Sequence, residues 1–273
     1  LIGALFLISG STGLIYETLW IRILSLGVGS TSSSMSLVLS IFFLGLALGS
    51  YLSGRFSHKM KNPLKVYGIL ESIIGIYAVF LVFPLIHLHQ LIAVLPLSGS
   101  FSIVGLCVKF LIVGALLILP TVCMGATFPI LIKLFLNQDK FLGKYVSRLY
   151  ALNTFGAVIG AFSTGYFLIP YLGILNSNFL AAALNLTIGG TAIYLSAKNR
   201  LAFTIENQSA DQAYEPLGYR SILILASTFV CGFVSISSEV IWNKYLNIFH
   251  SRYFSTFRQS VNDRTKVQKQ RKQ

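Results

Sequence analysis

Leu14-Ile15-Tyr16-Glu17-Thr18-Leu19-Trp20-Ile21-Arg22 places one carboxylate in an otherwise apolar run, and Ser237-Ser238-Glu239-Val240-Ile241-Trp242-Asn243-Lys244 repeats the pattern. The spacing is constant: Glu17 to Glu239, Trp20 to Trp242 and Arg22 to Lys244 are each 222 residues apart, as are Gly10 and Gly232. An ionisable side chain inside a membrane-length apolar segment is costly, and it normally faces a bundle interior or a water-filled cavity. Its recurrence with the same aromatic and basic neighbours predicts an internal repeat whose two copies begin with equivalent helices. A purely structural reading stands beside the functional one: each Glu snorkels to the headgroups or pairs with a nearby base.

The 273 residues are 55% hydrophobic and only 11% charged, whereas soluble domains carry about 25% charged residues. Continuous apolar runs of spanning length predict an all-α polytopic membrane protein, and their lack of alternation excludes a β-barrel. The net charge of +13 gathers in short clusters between the apolar runs, so it indicates membrane sorting, with the lipid bilayer as partner and no nucleic acid. Cys107, Cys123 and Cys231 lie in apolar runs without metal-ligand spacing; they read as small packing residues, and no metal site is expected. The chain opens at Leu1 in an apolar run with no basic leader, which predicts an incomplete start and no cleavable signal peptide.

Seven membrane helices are expected, at about 2–26, 33–54, 66–88, 102–132, 147–170, 174–196 and 220–246. The fourth holds Pro120-Thr121-Val122-Cys123-Met124-Gly125-Ala126-Thr127-Phe128-Pro129, and its two prolines and glycine predict a kink or interruption. Arg55, Lys59, Lys61 and Lys65 follow the second helix; Lys133, Lys140, Lys144 and Arg148 follow the fourth; Lys198, Arg200 and Arg220 flank the connection after the sixth. The connections around 27–32, 87–101 and 171–173 hold no Lys or Arg. Positive-inside sorting then puts the N-terminus in the cytoplasm of a multi-pass protein of the cell's inner membrane. His87 and His89 fall on the outer face and read as solvated loop residues. Residues 198–219 read as a cytoplasmic linker. The organisation expected is a six-helix membrane unit (1–197), that linker, the first helix of an incomplete second unit (220–249) and a basic disordered tail (250–273), with a parallel relation between the units. Gly45 and Gly49, and Gly156 and Gly160, place small residues four apart for close helix packing.

Several stretches together resemble the membrane region of bacterial fused major-facilitator/spermidine synthase proteins. They are Ser9-Gly10 through Glu17, Trp20 and Arg22; Phe43 to Arg55; Pro120-Thr121 with Met124 to Pro129; and Leu152 to Ala157. The likeness covers about residues 1–249 and implies a major-facilitator-like six-helix unit. Gly49 to Arg55 is also similar to the connection after the second helix of major-facilitator transporters, except that Ser53 stands where an acidic residue is common there. The resemblance further implies a soluble aminopropyltransferase domain using decarboxylated S-adenosylmethionine. No glycine-rich nucleotide loop in a βαβ context and no soluble carboxylate pair is found in this sequence. The expectation is therefore a chain that is not an enzyme, with no catalytic residues and no cofactor. The family pattern ends near His250, and the seven bases of 250–273 against Asp263 alone predict an unstructured end of a truncated or frame-shifted product.

Two functions fit. In the first, the bundle transports a small cationic, polyamine-like solute, with Glu17, Glu239 and Glu71 supplying negative charge and Tyr16, Trp20 and Trp242 supplying aromatic faces. Self-association or a separately encoded partner would complete such a cavity. In the second, the chain is a non-transporting anchor or scaffold for an aminopropyltransferase, and Glu17 pairs structurally, for example with Lys109. Glu71 shares a helix face with Tyr67, and Asn153 reads as an interhelical hydrogen-bonding residue.

Overall fold

The computed structural model describes residues 1–27, 31–57, 60–87, 90, 103–135, 142–198, 218–219, 222–235, 237–239, 241–242 and 245. Among them there are helices and no strands. In chain order they are α1 (Ile2–Gly27), α2 (Thr31–Phe56), α3 (Pro63–Ile86), α4 (Ile103–Lys133), α5 (Leu142–Ser163), a π-helical segment (Thr164–Leu172) and α6 (Gly173–Lys198). The chain divides into two compact units, Leu1–Gln208 and Ser209–Gln273. In the second, helix is described over 222–235. The expected linker falls almost wholly outside the described residues, and the expected basic tail falls wholly outside them.

Six apolar helical stretches are long enough to cross a membrane: Ile2–Ser25, Met35–Phe56, Pro63–Ile86, Phe110–Lys133, Gly143–Lys198 and Ile222–Glu239. The count differs from the seven expected because residues 143–198 form one unbroken helical run. The predicted loop at 171–173 is absorbed into the π-helical segment, whose wider turn carries Pro170. The chain changes course at Gly173, within the predicted connection and the one positive-φ residue among those described, at φ 75° and ψ 177°. Lacking Cβ, glycine takes this conformation without steric penalty.

Large apolar side chains lie on the outside of the bundle as well as in its core, and a set of polar ones is buried with that core. Thr12, Glu17, Ser53, Glu71, Thr121, Thr127, Thr164, Ser177, Asn178 and Asn185 are buried, while Phe80, Phe83, Leu111, Phe155, Phe162 and Phe167 are exposed. Such a surface suits hydrocarbon, where exposed apolar groups carry no penalty and polar groups must find partners within the protein. Of the three cysteines only Cys123 is a buried packing residue; Cys107 and Cys231 are exposed, a correction that follows from their position on outward faces.

Three close helix pairs build the first unit, and small residues set each. A side chain at Gly45 would strike Thr121, and one at Gly49 would strike the Val122 carbonyl, so α2 and α4 run parallel in near-backbone contact. Gly156 and Gly160 meet Leu7 and Ser11 in the same way, joining α5 to α1, and Gly10 of α1 packs on Asn153. Gly68 faces Gly189 and Gly75 faces Ala182, which makes α3 and α6 antiparallel. The two glycine pairs lie 111 residues apart (156−45 and 160−49), half of 222, and Thr31 and Leu142, the first residues of α2 and α5, keep the same offset. The six helices are thus two three-helix halves in which α1·α5 and α4·α2 are equivalent contacts.

Helix α4 is not interrupted at its prolines. Each proline removes an N–H and so strips the carbonyl four residues earlier of its helical partner. For Pro120 that carbonyl is Leu116, which accepts from the Tyr77 hydroxyl of α3 at 3.1 Å. For Pro129 it is Gly125, which accepts from the Ser50 hydroxyl of α2 at 2.9 Å. Neighbouring helices supply the lost donors, so the helix continues for 31 residues. Its last residue, Lys133, donates from Nζ to the Ser57 and Met60 carbonyls beyond α2. Helix α3 begins earlier than expected because Asn62 caps it, its side chain accepting from the Lys65 N–H at 3.1 Å with Pro63 in the first turn.

Candidate functional site

Polar side chains converge where α1 and α3 meet. Residues 9 and 16 are two turns apart on α1, so they lie one above the other; 67 and 71 do so on α3. The two helices run parallel here, since Phe6 meets Tyr67 edge-on and Ser9 meets Glu71. The Ser9 hydroxyl donates to Glu71 Oε1 at 2.6 Å. Tyr67 lies on the same line of α3 as Glu71, and Tyr16 on the same line of α1 as Ser9.

Glu71 is 0% exposed. Its Oε2 has no hydrogen-bond partner, and neither have the Tyr16 and Tyr67 hydroxyls or the Oδ1 atoms of Asn178 and Asn185 on α6. Buried polar groups without partners are rare, and each one calls for an explanation. Asn178 still donates through Nδ2 to the Ala78 carbonyl at 2.9 Å. Asn185 faces α3 one turn from Glu71, its Cβ 3.2 Å from where a side chain at Gly75 would begin. Among the described residues the five orphan atoms are all oxygens, and they lie on three helices of one bundle, α1, α3 and α6.

The other anticipated residues are placed as follows. Glu17 is buried at 6% exposure. It sits about 80–100° around α1 from Ser9 and Tyr16 at 3.6 residues per turn, on a different line from the one that meets Glu71. Trp20 stacks on Tyr16 with ring centroids 5.5 Å apart and meets Phe42 of α2 edge-on, both rings within the apolar core. Glu239 and Trp242 belong to the second unit, where Trp242 is 65% exposed. Lys109 is a residue whose side chain falls outside the described ones, and His89 likewise lies outside. Sequence reasoning overlooked Ser9, Asn178 and Asn185 as site residues. The seven-residue spacing of the two amides in an apolar run is a signal that could have found them. No group of three His, Cys, Asp or Glu able to hold a metal ion occurs among the described residues.

Comparison with known proteins gives one consistent answer. The chain is similar to the polyamine aminopropyltransferase of Oceanobacillus iheyensis, 26% identical over 197 residues, which is 71% of this chain and 35% of that protein. It is 27% identical to the polyamine aminopropyltransferase of Leptospira interrogans over 189 residues, 67% of this chain and 33% of that protein. Polyamine aminopropyltransferase 2 of Streptomyces coelicolor matches at 23% over 189 residues, 68% of this chain and 32% of that protein. The chain therefore spans about a third of the length of the curated relatives it matches. No protein-family profile matches it, and no solved structure does.

These relatives overturn the expectation that the chain is not an enzyme: all are named as aminopropyltransferases, and the likeness extends over about two thirds of this chain. The error came from asking these residues alone for a nucleotide loop and a carboxylate pair. An activity attached to a protein about three times the matched length is not decided by the residues of one part.

Proposed function

We propose that this chain is the membrane-embedded helical part of a polyamine aminopropyltransferase-type enzyme, and that its bundle takes up a small polyamine-like cation. The first half of the reading is carried by the likeness to enzymes of that name together with a bundle of long apolar helices whose outer surface is apolar. The second half is supported by buried carboxylates, since Glu17 and Glu71 offer charge only to something that enters the bundle. Tyr16 and Trp20 add aromatic faces. The repeated pairing of α1 with α5 and of α4 with α2 supports a major-facilitator-like unit, and the even-numbered connections carrying the bases support a cytoplasmic N-terminus.

The test expresses the protein in its natural full length and assays membranes for transfer of the aminopropyl group from decarboxylated S-adenosylmethionine to putrescine, alongside uptake of labelled putrescine into proteoliposomes. Spermidine formation by the membrane fraction is expected. Activity confined to the soluble fraction after lysis would sink the membrane assignment. Formation of product without saturable uptake would leave an anchored enzyme and remove the cation path.

A further inference from the structure

Helices α3 and α5 begin at the same end of the first unit. Leu64 of α3 and Leu149 of α5 are buried in one cluster with Ile130 and Leu131 of α4, and Phe135, just past α4, stacks on Tyr145 of α5 with ring centroids 4.9 Å apart. The third residue of each helix is a lysine, Lys65 in α3 and Lys144 in α5, and neither first turn holds an acid. Arg148 follows one turn later on α5, and all three bases are exposed. A base in this position meets the positive end of its own helix dipole, where a carboxylate would be the favourable choice. Among the described residues of the first unit the carboxylates are Glu17 and Glu71, both buried within the bundle, so neither answers these bases. What continues from each base is apolar. At 3.6 residues per turn, Lys65, Ile69, Ile76, Phe80 and Phe83 fall on one line of α3, and Lys144, Arg148, Phe155, Ile159 and Phe162 on one line of α5. Every apolar member of both lines is exposed.

We propose that these two lines are binding sites for anionic phospholipids: a headgroup phosphate sits against Lys65 on α3 and a second against Lys144 and Arg148 on α5, with the acyl chains lying along the apolar residues beneath. Each line has the shape of its ligand, a cationic head above a long apolar track. Long basic side chains at a helix end reach to headgroup level while their stems stay on apolar surface, and bases at the cytoplasmic ends of membrane helices attract anionic lipid. The phosphate supplies the negative charge that the two helix starts lack. An acidic protein would meet the bases and leave both apolar tracks without a partner, so the lipid accounts for more of the surface. The proposal rests on the membrane-embedded reading above and is independent of the aminopropyltransferase likeness.

The experiment is native mass spectrometry of the purified full chain in detergent, titrated with dioleoylphosphatidylglycerol or with dioleoylphosphatidylcholine. Two phosphatidylglycerol molecules should be retained at concentrations where phosphatidylcholine is lost. Lys65→Gln should weaken one of them and Lys144→Gln with Arg148→Gln the other, by about fivefold per base removed. Lys65→Arg and Lys144→Arg should keep both, and Arg22→Gln, which removes the same charge near the other end of α1, should change neither. An unchanged melting temperature in each variant separates lost binding from lost fold. Glycerol phosphate, a headgroup without a tail, should not displace the lipid at equal concentration. Equal retention of the two lipids, unchanged retention in the triple variant Lys65→Gln, Lys144→Gln and Arg148→Gln, or a loss as large in Arg22→Gln would overturn the proposal. Displacement by glycerol phosphate would also overturn it, reassigning the bases to a soluble anion or an acidic protein. Retention of neither lipid would overturn the membrane reading as well, which tells that failure apart from the others.

Discussion

At the scale of single residues, the prolines of α4 and the hydroxyls that answer them show how a long apolar helix tolerates a missing donor. The Leu116 carbonyl is orphaned by Pro120 and accepts from Tyr77, so the two residues should be energetically coupled. Tyr77→Phe is expected to destabilise the protein in detergent by about 0.6 kcal/mol, the average for interhelical hydrogen bonds in membranes. In a Pro120→Ala background, where residue 120 again donates to Leu116, the same change should cost nearly nothing. A double-mutant cycle of thermal melts checks this, and additive effects would refute it. Ser50→Ala should behave likewise against Pro129→Ala, through the Gly125 carbonyl.

The elements owe their pairing to glycines whose surroundings differ sharply. Gly49→Val and Gly156→Val should each separate a parallel helix pair, because the added atoms would overlap the Val122 and Leu7 carbonyls. A cost of several kcal/mol and loss of a monodisperse peak in size-exclusion chromatography are expected, by analogy with severe overpacking. Gly190→Ala meets open space on the exposed side of α6. It should stabilise by about 0.5–1 kcal/mol, since alanine is the better helix former. Comparing the melting temperatures of the three variants tests whether contact or propensity governs each position. The glycine spacings were readable as packing motifs, but their partners were not: nothing in Gly45-Leu46-Ala47-Leu48-Gly49 says that α4, and not α1 or α3, lies against it. The six described helices of the first unit were legible from apolar run length. The joining of the last two through a π-helical segment was not, because Pro170 and Gly173 read locally as a loop.

For the molecule as a whole, long helices with apolar exposed surfaces make a direct prediction. The protein should stay with membranes through alkaline carbonate extraction, and a cysteine replacing Lys61 should be labelled by an impermeant maleimide only from the cytoplasmic side. Labelling from outside would reverse the proposed topology. The sequence alone was sufficient for the helical class: long continuous apolar runs become long apolar helices, and the isolated carboxylates Glu17 and Glu71 announce themselves by their chemistry. It also pointed to Glu17 as the centre of the site. Only the tertiary structure shows that Glu71, at the crossing of α1 and α3, meets Ser9. Periodicity places a residue on a line of its own helix, but which lines face one another depends on how two helices are rotated and shifted against each other. That is fixed by backbone contacts at distant glycines, which no local pattern contains.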